Sequence, residues 1–303
     1  MSHPRRKFLK SATQLGAGLA LTAVSSKLVG CHSAKKAASI TGNTAAGPVT
    51  NTRPFGLQLY TLRDDLPKDP KGILKQVASF GYKQIEGYEG PQGIFWGMSN
   101  TDFKKYMDDL GMQFISSHCD TNKNFEQKAA QAAEIGMKYL IHPYLGPQKT
   151  LDDYKKAADF FNTRSEICRK AGIRFAYHNH DYSFKQVDGQ FPQDIFMQNT
   201  DPGNMDYEMD IYWVVTAGQD PKTWIDKYPN RFKLGHVKDR RKGTTEEADS
   251  VVIGTGSIDF NDILKDAEAK GMQYFIVEQE RYDGTTPLKA TQDDAEAMRR
   301  LQF

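Results

Sequence analysis

The sequence predicts a closed (β/α)8 barrel, and two observations carry the prediction. A segment of about 250 residues repeats helix, glycine and strand at the spacing of βα units, and it contains eight short apolar or aromatic runs separated by amphipathic stretches. Five times a helix-like segment ends in glycine and passes straight into such a run: Gly81 before YKQIE, Gly111 before MQFIS, Gly136 before MKYLI, Gly172 before IRFAY and Gly271 before MQYFI. A glycine just past a helix end takes the left-handed conformation at little cost, so each instance reads as helix, cap, strand. The first four are 30, 25 and 36 residues apart, and the 99 residues from Gly172 to Gly271 leave room for further units.

Taken in order, FGLQLYTL opens the set with a strand at 55–61, and strands follow at 82–87, 113–118, 138–143 and 173–179. Within the long gap, MDYEMDIYWV and RFKLGHVKD supply strands at 206–212 and 232–238, and 273–279 closes the count. Between them DPKGILKQVASF, TDFKKYMDDL, LDDYKKAADFFNTRSEICRKA and FNDILKDAEAK place apolar residues at helical spacing with charges opposite. No G-x-G-x-x-G or P-loop follows the first strand, which argues against an open dinucleotide-binding sheet.

The first 30 residues stand apart from this pattern. Arg5 and Arg6 followed by Phe8-Leu9-Lys10 resemble a bacterial twin-arginine export signal, and Leu28-Val29-Gly30-Cys31 resembles a lipobox. Residues 1–30 are therefore expected to be a signal peptide, 31–52 a flexible tether rich in Ser, Ala, Lys, Thr and Gly, and 53–303 a single barrel domain. The expected location is periplasmic or outer-membrane-associated, with membrane contact only through a lipid on Cys31. The net charge of +2, from 40 basic and 38 acidic residues, offers no field for nucleic acid. Cys119 and Cys168 are expected to be free, buried thiols.

Strand parity locates a candidate site. Successive residues of a barrel strand face the lumen and the helices alternately. In RFAYHNHDYSF the large Phe175 and Tyr177 suit the helix side, which turns Ala176, His178 and His180 inward. The same reading places Gln58 and Tyr60, Glu86, His118, His142, Asp210, His236 with Lys238, and Glu278 with Glu280 in the lumen. Each lies near the carboxyl end of its strand, where barrel enzymes carry their chemistry. Burying so many polar groups without a partner or ligand would cost several kcal/mol.

The strings GLQLYTLRD, YKQIEGY, YHNHDYSF, MDIYWVVTAG, GHVKDR and FIVEQE resemble the sugar phosphate isomerase/epimerase group of the xylose isomerase-like TIM barrels, over about residues 53–300. The resemblance implies one divalent ion (Mn²⁺, Co²⁺, Mg²⁺ or Zn²⁺) held by His178, Asp210, His236 and Glu278. It also implies chemistry through an enediolate, with Glu278, Glu280 or His180 as the base and Lys238 steadying negative charge. Tyr60, Glu86, His118, His142 and Trp213 would then bind the sugar, with Trp96 and Tyr182 as further aromatics. Members of this group usually place a glutamate where this chain has His178, so the two-carboxylate relay of an epimerase is not intact. The expected substrate is a neutral sugar or keto-sugar rather than a sugar phosphate. Isomerisation or epimerisation is the first expectation, β-elimination from a 3-keto-glycoside the alternative, and a non-catalytic sugar-binding lipoprotein the reading from outside enzymology. The oligomeric state is left open.

Overall fold

The computed structural model describes residues 51–303; the twin arginine, Cys31 and nearly all of the expected tether lie outside the described residues. Eight parallel strands close into a barrel: β1 Gly56–Gln58, β2 Gln84–Tyr88, β3 Gln113–His118, β4 Tyr139–His142, β5 Arg174–His178, β6 Met205–Asp210, β7 Phe232–Val237 and β8 Tyr274–Val277. Their order around the barrel is β1-β8-β7-β6-β5-β4-β3-β2, each strand paired with its sequence neighbour and β8 closing on β1 through Gly56 beside Ile276. Nine helices among the described residues cover the outside: α1 Pro70–Ser79, α2 Asn100–Asp109, α3 Phe125–Glu134, α4 Leu151–Ala171, α5 Pro192–Asn199, α6 Ile211–Thr216, α7 Pro221–Lys227, α8 Phe260–Ala269 and α9 Pro287–Arg300. None of these helices is long and apolar enough to cross a membrane.

The repeat seen in the sequence is the repeat of the fold. Gly81, Gly111, Gly136, Gly172 and Gly271 all have positive φ, between 67° and 99°, and each turns a helix end into the next strand. Inside the barrel Tyr139, Ile141, Ala176 and Leu234 form a small apolar plug with Tyr274 packed on it. Phe175 and Tyr177 belong instead to the large layer between strands and helices, as parity requires. The amino end of the barrel is pinned by Asp206, which accepts from Arg174 Nη2 at 3.0 Å and from the Tyr139 hydroxyl at 3.1 Å. Cys119 and Cys168 are free and buried.

Two strands end earlier than the sequence pattern predicts, and both ends shape the site. After Gln58 the chain turns into a 3₁₀ segment, Leu59–Leu62, because the Gln58 side chain accepts from Tyr60 N at 3.0 Å and caps it. Tyr60 is thereby lifted out of the lumen to the rim. After Asp210 the chain enters α6 directly, with Asp210 Oδ1 accepting from Trp213 N at 3.2 Å as the N-cap. The rest of the Asp210 carboxylate is left for the lumen.

Candidate metal centre and active site

A cavity of about 540 Å³ opens at the carboxyl ends of the strands. On the β5–β8 side it is lined by His178, His180, Trp213, Lys238, Glu278 and Glu280, and on the β1–β4 side by residues from Tyr60 to Tyr144. Below it four side chains converge. His178 Nε2 lies 3.4 Å from Asp210 Oδ2, which lies 3.6 Å from His236 Nδ1, which in turn lies 3.4 Å from Glu278 Oε2. His178, Asp210 and His236 are grouped tightly enough for one cation, and three of these atoms (His178 Nε2, Asp210 Oδ2 and His236 Nδ1) are buried without a hydrogen-bond partner. Buried polar atoms are ordinarily satisfied, so three orphans aimed at one point fit a ligand that is itself positive.

The surroundings set the far side of each ligand. The Nδ1 of His178 faces the carbonyl of Pro143 at 3.1 Å and the Nε2 of His236 faces Glu86 Oε1 at 2.7 Å. Each contact places a proton on the outer nitrogen and turns the other nitrogen's lone pair into the lumen. Asn179 exchanges hydrogen bonds with the backbone of Asp210, at 3.1 and 3.2 Å, and so fixes that carboxylate. Two carboxylates and two imidazoles form a borderline-hard set, suited to Mn²⁺, Co²⁺ or Zn²⁺.

A second polar layer lies under the first, and Glu208 is its member that the sequence motifs do not flag. Glu86 Oε1 accepts from Gln58 Nε2 at 2.8 Å and its Oε2 accepts from Ser116 Oγ at 2.6 Å, while Glu208 Oε2 meets His118 Nε2 at 2.7 Å. Burial and the Glu208 charge lift the Glu86 carboxyl above its ordinary range. Against its own burial, Glu208 is held well below that range by His236 and by the His118 hydrogen bond. Burial opposes a charge on His236, but the Glu208 and Glu278 carboxylates outweigh it and raise its pKa well above that of free histidine. A cation arriving at Nδ1 displaces that proton, so metal affinity should fall as pH falls.

Lys238 is the basic centre of the cavity. It is fully buried, its Nζ donates to Glu278 Oε2 at 3.1 Å and to Glu280, and it sits 3.9 Å from Asp210 Oδ2. The rings of Tyr212 and Trp213 lie 5.0 and 5.1 Å from it. Burial disfavours its charge, yet Glu278, Glu280 and Asp210 together hold it protonated. The same lysine, working against burial, keeps Asp210 and Glu278 ionised well below the usual carboxylate range. Among the described residues it is the one lysine or arginine lining the cavity.

A family model for the xylose isomerase-like TIM barrel matches residues 74–301. The chain belongs to the xylose isomerase-like TIM barrel family. A solved sugar phosphate isomerase/epimerase from Parabacteroides distasonis is 32% identical and superposes with a TM-score of 0.71, over 82% of this chain and 95% of that one. An inosose dehydratase of Clostridium beijerinckii is 28% identical over 277 residues, covering 77% of this chain and 87% of its own. The inosose dehydratase of Lacticaseibacillus casei is 27% identical over 165 residues, and the chain spans about half of its length, 51%.

Within this xylose isomerase-like barrel the sequence-predicted residues separate by depth. His178, Asp210, His236, Glu278, Lys238 and Glu280 come together. Glu86 does not reach the cavity: with no exposed surface, it is bonded to His236, Gln58 and Ser116. It acts on His236 in place of the substrate contact expected of it. His118 touches the cavity but spends its Nε2 on Glu208. His180 lines the cavity with its Nδ1 buried and unpartnered, and burial, followed by the neighbouring His178, lowers its pKa to about 2. Trp96 is buried against Tyr88, at 4.9 Å, and Tyr182 accepts from the backbone of Leu145 and Gly146, so these two are scaffold.

His142 is the parity error. Tyr139 and Ile141 occupy the lumen in β4, which turns His142 to the helix side of this barrel, against Phe160, Phe161 and Tyr177 at 5.9, 5.3 and 6.1 Å, while it still contributes to the cavity lining. Its Nδ1 pairs with Thr121 Oγ1 at 2.8 Å, and burial lowers its pKa to about 4. Because the folded value lies below that of the unfolded chain, about 6.5, the unfolded state takes up the proton first. Stability should fall by roughly 1.4 kcal/mol per pH unit from this group as pH drops from about 6 towards 4. Denaturant midpoints at several pH values should show a shallower slope for His142→Gln, and parallel slopes would refute this role.

Glu86→Gln tests the layer below. With the charge gone, the hydrogen bond that fixes the outer proton of His236 is left with only a neutral amide oxygen, and Mn²⁺ affinity by calorimetric titration should weaken about 10- to 100-fold. Unchanged affinity would show that the pair is only packing.

Proposed function

We propose that this protein is a divalent-metal-dependent enzyme that removes the proton beside the carbonyl of a neutral sugar or keto-sugar and completes the reaction by β-elimination. The observation that carries it is the convergence of three buried, unpartnered ligand atoms, with Glu278 beside them, at the floor of a cavity that also holds a buried lysine. His178, Asp210, His236 and Glu278 would hold a divalent cation, which when bound would lend Lewis acidity to the sugar's carbonyl oxygen. Glu280 accepts the α-proton, since it lines the cavity and keeps part of its side chain exposed. Lys238 donates to the oxygen on which charge develops. In the elimination, Glu280 returns the proton to the departing oxygen as the β carbon–oxygen bond breaks and the double bond forms.

Three observations support elimination on a neutral ring. Two of the relatives are named inosose dehydratases. The position that epimerases of the group give to a glutamate is His178 here. The cavity offers one lysine, already engaged by Glu278 and Glu280, and no arginine among the described residues, which suits an uncharged substrate. Export as a lipoprotein, read from Arg5-Arg6 and Cys31, would also bring the protein to neutral sugars rather than sugar phosphates. Isomerisation is the second reading, supported by the name of the Parabacteroides protein.

The test is incubation of the metal-loaded protein with keto-glycosides, keto-polyols and aldoses in D₂O, followed by NMR. Deuterium at the carbon beside the carbonyl together with loss of the β-substituent is the expected result. Deuterium in an aldose–ketose pair with no loss would favour isomerisation, and no exchange with any sugar would overturn both.

A further inference from the structure

The cavity is larger than one sugar needs. A hexose displaces roughly 180 Å³, about six water volumes, against a cavity of about 540 Å³. The excess is on one side. The candidate metal ligands and Lys238 come from the ends of β5 to β8, whereas the β1–β4 sector carries none of them and still contributes Tyr60, Tyr88, Glu89, Asp120, Asn122 and Tyr144 to the lining.

That sector has a rim of unburied aromatic surface. Among the described residues the exposed large hydrophobic side chains are Tyr60, at 39%, and Tyr144, at 57%, and both line this cavity. They stand at the ends of β1 and β4 with β2 and β3 between them. Each is braced edge-to-face rather than buried, Tyr60 by Tyr88 at 5.2 Å and Tyr144 by His180 at 4.9 Å, and the Arg63 guanidinium covers one face of Tyr60 at 4.9 Å, leaving the other for a ring. The floor is pre-organised, and its carboxylates are paired with Lys128 and Lys123. Glu89 Oε2 accepts from Asp120 N at 2.7 Å and from Lys128 Nζ at 2.6 Å, and Asp120 Oδ1 accepts from Asn122 N at 2.9 Å. Exposed aromatic surface over a hydrogen-bonding floor whose charges are already paired suits a neutral ring.

We propose that the β1–β4 half of the cavity is a second subsite, holding a neutral ring joined to the sugar at the β5–β8 half. The substrate is then a glycoside rather than a free monosaccharide; this rests on the sugar reading above. The ring is aryl or glycosyl, since both present a face that stacks on tyrosine.

Calorimetric titration of the Mn²⁺-loaded protein with methyl β-glucoside, phenyl β-glucoside and cellobiose tests this without turnover. At least one two-ring probe should bind about fivefold or more tighter than the methyl glycoside, phenyl identifying an aryl group and cellobiose a second sugar. Tyr144→Ala and Tyr60→Ala should each shrink that preference to within about twofold. Equal affinities, no binding of either two-ring probe, or a preference untouched in both variants would overturn the subsite. If the preference holds while no sugar exchanges deuterium, the subsite stands and the enolate reading fails.

Discussion

Asp210→Asn is expected to weaken divalent-metal binding at least about 100-fold and to slow α-proton exchange about 1,000-fold, with the fold retained. The replacement separates the two jobs of this side chain. Oδ1 caps α6 through Trp213 N, a bond an amide oxygen also makes, while Oδ2 is buried, unpartnered, and 3.4 and 3.6 Å from the inward nitrogens of His178 and His236. Asparagine keeps the cap and removes the charge. Circular dichroism should therefore be unchanged while Mn²⁺ titration and NMR exchange both collapse. An Asp210→Asn variant that binds metal and turns over normally would move the metal away from this set.

Lys238→Met should have the second largest effect, and in a different pattern. Turnover should fall about 100- to 1,000-fold because the donor to the developing oxyanion is gone, whereas Mn²⁺ affinity should hold or rise because a competing cation has left Glu278 and Asp210. Without metal the variant should lose about 3–5 kcal/mol of stability, the cost of leaving buried carboxylates uncompensated, and added Mn²⁺ should restore part of it. Acid sensitivity follows the same charges. In the native protein the folded pKa values of Asp210 and Glu278 lie below those of the unfolded chain, so their stabilisation is in place above about pH 4 and is lost as pH falls below it. Removing Lys238 takes away the largest favourable charge on both, raises their folded pKa values towards those of the unfolded chain, and should make stability less dependent on pH below about 4. Denaturant melts with and without Mn²⁺ measure these terms, and equal falls in metal affinity and turnover would show that Lys238 only holds the ligands in place.

The candidate centre was legible because alternation along a strand is a local rule. Phe175 and Tyr177 belong against the helices, so His178 belongs inside, and the same logic delivers Asp210, His236, Lys238 and Glu278. It failed where a neighbour or a turn overrode the alternation. In β4 the lumen is filled by Tyr139 and Ile141, and two bulky residues on that face turn His142 outward. At Gln58 a side-chain cap ends the strand early and carries Tyr60 to the rim. Glu208 shares its face of β6 with Asp206 and Asp210 in MDYEMD, and that alternation of acids was the available signal.

By itself the sequence determined the barrel and most of the polar side chains that enter it, since helix caps, apolar periodicity and strand parity act over a few residues. Only the tertiary structure decided how those side chains divide into a cavity layer with Lys238, a ring of converging ligand atoms beneath it, and a buried Glu86–Glu208 layer that orients His236. Depth in a barrel depends on strand stagger and on register shifts such as the one between Ile85 and Glu86, which are settled by pairing between strands and not within one.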